Sequence, residues 1–147
     1  MIDEFISREF REGRISRDLF TREKKSILLH AHCQQKSVAS SECTLEMLSI
    51  PEGYRVTEIP SGCCGMAGSF GYEKEHFDLS NSIGELTLFP EIRNSGAETI
   101  IAATGTSCRH HIMDGTGRVA LHPVDILYQA LKNEIYDPCQ AGRSSVK

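Results

Sequence analysis

The chain of 147 residues reads as an α/β domain of three layers, a mostly parallel sheet of four strands flanked by helices. Three observations predict this class. Apolar runs and amphipathic stretches alternate along the sequence, which is the pattern of successive strand–helix–strand units. A single domain of this size buries roughly 68–70% of its unfolded surface, so one core suffices without a stapling disulfide. Finally, cysteines follow three of the apolar runs directly, where a parallel sheet gathers its loops on one edge and open α/β sheets bind ligands.

The elements follow in order. Ile2, Phe5, Ile6 and Phe10 mark a short amphipathic helix, read as a connector over residues 1–24 ahead of a folded unit at 25–137. Ser26–Ala31 is the first strand. The helix after it puts Val38, Ser41, Leu45 and Leu48 on one face and stops before Pro51. Tyr54–Ile59 is the second strand, followed by a glycine-rich loop. A long helix then runs from about Glu73 with Leu79, Ile83, Leu86 and Pro90 at helical spacing, and Pro90 breaks it in two. Gly96 ends that helix, and Thr99–Ala103 and Arg118–Leu121 are strands three and four. Val124–Leu131 closes the fold as a helix with Pro123 near its first position. The polar stretch 138–147 is expected to be a disordered tail.

Composition excludes several classes of function. The formal charge is −4 and the basic residues are scattered apart from a short cluster between Arg14 and Lys25. Neither nucleic acid nor an anionic membrane is offered an electrostatic footprint. Asp3, Glu4, Glu9 and Glu12 make the N-terminus acidic, with no apolar run of signal-peptide length and no stretch of ~18 apolar residues. A cytoplasmic protein is expected, at most held peripherally at a membrane through partners. Six cysteines in that compartment point to metal binding or redox chemistry rather than to a disulfide framework.

The vicinal pair in Gly62-Cys63-Cys64-Gly65-Met66-Ala67-Gly68 carries the most chemistry. Neighbouring Cα atoms sit about 3.8 Å apart, whereas an ordinary disulfide wants about 5.5 Å, so both thiols look outward for partners. The flanking glycines Gly62, Gly65 and Gly68 let the backbone approach a bulky group closely and aim amide N–H groups at it. The strand assignments supply the partners, because Cys33 follows strand one and Cys108 strand three, each in a loop at the strand's carboxyl end. His122 ends strand four at the same edge. Cys43 falls inside a helix and Cys139 in the tail, and both are left out of the site. Zinc sites usually show two close cysteine pairs, and here only one pair is close. Thiolates from separated loops fit an iron–sulfur cluster better. His30, His32, His111 and His122 are candidates for outer hydrogen bonds or for replacing a thiolate. Two rivals remain: a structural zinc module using Cys33, Cys63 or Cys64, Cys108 and a histidine, and a metal-free thiol module with Cys63 or Cys64 as nucleophile and Cys33 or Cys108 as resolving thiol. The glycine spacing matches neither a phosphate-binding P-loop nor a dinucleotide fingerprint.

The segments His30-Ala31-His32-Cys33, Cys63-Cys64-Gly65-Met66-Ala67-Gly68-Ser69-Phe70-Gly71, Thr106-Ser107-Cys108-Arg109 and His122-Pro123 together resemble the CCG cysteine-rich domain. That family includes the B subunit of heterodisulfide reductase and the iron–sulfur modules of FAD-linked glycolate, D-lactate and anaerobic glycerol-3-phosphate dehydrogenases. The resemblance spans roughly Lys25 to Leu131. It is strongest to the C-terminal module of the FAD-linked type, where Gly71 through Ser80 and Ile83-Gly84 also match. It implies a [4Fe-4S] cluster on Cys33, Cys63, Cys64 and Cys108, with Arg109 adding a positive field. The module would relay electrons from a flavin carried by a partner domain or subunit beside a second cysteine-rich module, and would not turn over substrate alone. One departure stands out. The family pattern ends in Cys-x-x-Cys, and this chain has Gly105 where the first of those cysteines would stand. Four thiolates satisfy an ordinary four-iron cluster but leave the five-thiolate, non-cubane form one ligand short.

Overall fold

The computed structural model describes residues 1–132, so the tail from 138, with Cys139, lies outside the described residues. Four strands, β1 (Lys25–His30), β2 (Tyr54–Glu58), β3 (Ile100–Ala103) and β4 (Ala120–Leu121), form one sheet in the order β2-β1-β3-β4. Every pairing is parallel. Among the described residues seven α-helices accompany the sheet: α1 (Ile2–Arg11), α2 (Cys33–Val38), α3 (Glu42–Leu48), α4 (Phe77–Leu86), α5 (Leu88–Asn94), α6 (Thr106–Thr116) and α7 (Pro123–Gln129). The predicted α/β class is the observed one. Among the described residues no helix is long and apolar enough to cross a membrane.

Strand parity sorts the core into two clusters. Ile27 and Leu29 of β1 and Ala102 of β3 join Met47, Leu48, Ile126 and Leu127 on one face. Ile101 and Ala103 turn to the other face, with Leu88, Phe89, Ile92 and Ile112. Successive strand residues point to opposite sides, so His30, one step beyond Leu29 and paired with Ala103, belongs to the second face. Helix α1 packs against α3 with Ile6 and Phe10 on the first cluster. Its buried Asp3 accepts hydrogen bonds from Gln35 and Thr44.

Two helical expectations need correction. The helix after β1 is two helices, because Ala39 is extended and the Ser40 hydroxyl accepts the Glu42 amide, offering the backbone a turn in place of the helix. Val38, expected on the inner face, is 76% exposed. The long helix after the glycine loop begins later, at Phe77, and breaks at Leu86–Thr87 rather than at Pro90 itself. A proline ring clashes with the carbonyl four residues back, so Pro90 forbids continuation through Leu86 and then sits harmlessly in the first turn of α5. The inner face of α4 is also different: Leu79 and Leu86 are exposed, while Ser80 and Gly84 are buried. Small size selects that face. A Cβ on Gly84 would lie 2.5 Å from the Phe89 ring, and one on Gly115 2.3 Å, so both glycines make room for that ring.

Candidate metal centre

The strand order places a switch point between β1 and β3, since the chain leaves β1 toward β2 on one side and β3 toward β4 on the other. The carboxyl ends of these two strands therefore bound a crevice of the kind where α/β sheets hold ligands. Cys33 and Cys108 both arrive there, but not in loops as expected. Cys33 is the first residue of α2 and Cys108 lies in the first turn of α6, because the chain enters a helix almost directly after each strand. Cys63 and Cys64 do lie in a loop, following β2.

Cys64 and Cys108 form the buried heart of the site, 3% and 1% exposed, with their sulfurs 3.3 Å apart. Their closeness couples their titrations. Hydrogen bonding from Cys108 outweighs burial and, helped by the His30 ring and the Met66 amide, lowers the Cys64 pKa to about 4. The Cys108 thiol is correspondingly driven up by that same bond, by burial and by the charges of the other three sulfurs. Cys33 and Cys63 are half-buried at the rim. Burial and the facing Cys63 push the Cys33 thiol up. The Gly65 amide donates to the Cys63 sulfur at 3.3 Å. All four sequence-predicted sulfurs thus meet at one edge. Cys43 stays away on α3, where its carbonyl accepts from Ser7.

The histidines separate into different roles. His30 is fully buried; its Nδ1 pairs with Ser61 Oγ at 2.8 Å, and its Nε2 has no hydrogen bond among the described residues. His30, Cys64 and Cys108 each offer a donor atom, all within 4.8 Å of one another. His32 instead caps α2, its Nδ1 accepting the Gln34 amide at 3.2 Å. Its ring fills the space beside Gly105: a Cβ there would lie 2.4 Å from His32 Cδ2 and 2.9 Å from Cys108 Sγ. His111 is buried against Phe89 with Nδ1 on Ser80 Oγ at 3.2 Å, and burial lowers its pKa. His122 caps α7, and burial, reinforced by Arg109, lowers its pKa too. Arg109 donates to the Ala103 and Thr104 carbonyls and to Thr106, so its guanidinium is tied to the end of β3.

Of the three glycines, Gly65 is required by packing, since φ is +109° and a Cβ would lie 2.3 Å from the Ser80 carbonyl oxygen. Gly68 has φ of +75° in open space, and Gly62 likewise borders nothing within 4 Å. Sequence reasoning missed Ser61 and Ser80, which hold His30 and His111. No local pattern marks either serine, because their partners lie 31 residues away in both cases. On the far side of His32 the same edge opens into a cavity of about 440 Å³ lined by Ile2, Val38, Met47, Thr104, Gly105 and Val124, among others.

Comparison with known proteins relates this chain to parts of larger oxidoreductases. Over 105 residues it is 34% identical to the C subunit of the anaerobic glycerol-3-phosphate dehydrogenase of Escherichia coli K12, covering 71% of this chain and 26% of that protein. It is 31% identical over 105 residues to the D-2-hydroxyglutarate dehydrogenase of Pseudomonas putida, 71% of this chain and 10% of that one. It is 25% identical over 118 residues to the glycolate oxidase iron-sulfur subunit of E. coli K12, 79% of this chain and 28% of that protein. The chain thus spans between a tenth and about a quarter of these relatives. No protein-family model matches it, and no solved structure does.

Proposed function

We propose that this protein is an iron–sulfur electron-transfer module, its cluster a [4Fe-4S] centre at the carboxyl edge of the sheet and its electrons drawn from a flavin-containing dehydrogenase domain or subunit. One observation carries the reading: four free cysteines from three separate segments converge at the switch-point edge of a parallel sheet. Thiolate ligation is what such clusters require. The residues fit the group chemically. The thiols are unpaired, the Cys64 and Cys108 sulfurs stand 3.3 Å apart, and backbone amides reach the sulfurs of Cys33, Cys63 and Cys64. Amides hydrogen-bonded to sulfur raise a cluster's potential, so the glycine loop would tune the centre as well as admit it. When bound, the cluster supplies one-electron transfer; the chain's own part is to ligate it, shield it and set its potential. The relatives' names support an oxidoreductase context, including an iron-sulfur subunit of glycolate oxidase. A 2-hydroxy acid oxidised on a flavin partner, with a second cysteine-rich module relaying electrons, is the setting this reading calls for.

A second reading has an observation of its own. Three donors within 4.8 Å suit a single tetrahedral ion, whose thiolates at about 2.3 Å stand about 3.8 Å apart. Anaerobic reconstitution with iron and sulfide separates the two. A brown protein whose visible absorbance bleaches with dithionite and returns on reoxidation is expected. Colourless protein that holds one zinc and refuses iron would establish the zinc module instead.

A further inference from the structure

We infer that His30 is itself a ligand of the metal centre, through Nε2, so that the centre has mixed imidazole and thiolate ligation. The inference rests on the iron–sulfur reading and amends its ligand set: His30, Cys64 and Cys108 would supply three of the four donors, and one cysteine of the rim pair, Cys33 or Cys63, the fourth.

Three observations converge. The first is parity. His30 is the last residue of β1 and pairs with Ala103, so its side chain enters the same face as Cys64 and Cys108, whereas His32 is turned to the α2 cap. The second is a polar atom without a partner. His30 is 0% exposed, its Nε2 makes no hydrogen bond among the described residues, and its ring offers a nitrogen within 4.8 Å of the Cys64 and Cys108 sulfurs. A buried nitrogen left unpartnered carries its full desolvation penalty, which a bond to metal removes. The third is the other side of the ring. Ser61 Oγ pairs with Nδ1 at 2.8 Å and fixes the orientation of the ring, leaving Nε2 as the nitrogen free to meet a metal. Metal-binding histidines are held in this way, the second nitrogen donating to an oxygen that fixes tautomer and orientation. Ser61 is itself fixed, its carbonyl accepting from Lys36 Nζ at 3.0 Å. Gly105 matters as well. The fifth sulfur of the resembling pattern has no room here, because His32 fills the space. A neutral nitrogen in place of a thiolate removes one negative charge from the centre and raises its potential.

The test uses the whole chain with ¹⁵N in histidine only, reconstituted anaerobically with iron and sulfide and reduced with dithionite. Pulsed electron paramagnetic resonance is expected to show a directly bound histidine nitrogen, which disappears in His30→Gln and persists in His111→Gln. His30→Cys is expected to keep the cluster at a lower potential. A cluster without bound histidine nitrogen, or one whose nitrogen signal survives His30→Gln, overturns the inference while leaving the electron-transfer reading intact. If no cluster forms at all, that reading fails, and cobalt(II) titration decides the histidine: His30→Gln should weaken binding about tenfold or more, and equal binding overturns the inference. Should His30→Gln not fold, Ser61→Ala keeps the ring and frees Nδ1. A loss of about 10–100-fold in cobalt affinity is expected there, and unchanged affinity counts against the ligand.

Discussion

Gly105→Ala is the perturbation whose cost follows most directly from the geometry. The added Cβ would stand 2.4 Å from His32 Cδ2 and 2.9 Å from Cys108 Sγ, both far inside van der Waals contact. The ring has to swing out. Doing so breaks the bond from the Gln34 amide to His32 Nδ1, and loss of a helix cap costs about 1 kcal/mol. Residual overpacking against the sulfur adds about 1–3 kcal/mol, for a total of about 2–4 kcal/mol. With a urea slope of about 2 kcal/mol per molar, the unfolding midpoint of the metal-free protein should fall by about 1–2 M. A double-mutant cycle isolates the cause. His32→Ala alone should cost about 1 kcal/mol, and adding Gly105→Ala on that background about 1–3 kcal/mol, the overpacking against the sulfur that remains, giving a coupling of about 1 kcal/mol. Additive costs, or a Gly105→Ala protein as stable as the parent, would refute the claim that His32 occupies the place of the absent cysteine.

Further expectations concern the core, the rim and the ligands. Phe89→Ala should cost about 3–5 kcal/mol by calorimetry or denaturant, because the fully buried ring fills the space between Gly84 and Gly115 and no larger neighbour can collapse into it; a loss under about 1 kcal/mol would contradict the packing. Burial alone would raise the Glu58 pKa, but Lys36, with its Nζ at 2.6 Å, and the Ser41 hydroxyl together hold the carboxyl below its ordinary value. Its stabilising effect is therefore present above the unfolded value of about 4.3 and lost as pH falls through the lower folded value. The stability advantage of the parent over Glu58→Gln, followed by urea midpoints, should shrink on acidification below that point, and an advantage constant down to about pH 3 would exclude the linkage. Cys64→Ser should lose most of the bound iron, whereas Cys43→Ser, on α3 outside the site, should retain it; equal retention would dissolve the ligand assignment.

The convergence of the sulfurs is legible in the sequence because it depends only on topology. Once Cys33, Cys63-Cys64 and Cys108 follow three parallel strands, their meeting at one edge is unavoidable, whatever the details of loops and helices. Alternation does not separate His30 from His32, since residues two apart on a strand share a face; they part because β1 ends at His30 and His32 caps α2. The displaced helical faces have a different cause. Apolar periodicity points to Leu79 and Leu86, but the inner face of α4 is chosen by Gly84, whose lack of a side chain admits Phe89 from the next helix. Val38 departs from its expected face for a related reason, since Ser40 stops the helix before its apolar stripe can continue. Hydrophobic spacing registers what a side chain gains by burial and is blind to positions selected for being small. Ser61 and Ser80 leave no mark in the sequence because their importance lies entirely in the histidines they hold.

Iron, acid-labile sulfide and zinc measured together on anaerobically purified protein test the central claim most directly. The iron–sulfur account predicts about four irons and four sulfides per chain with zinc absent. One zinc per chain without sulfide, or protein that remains free of metal after reconstitution, would contradict it.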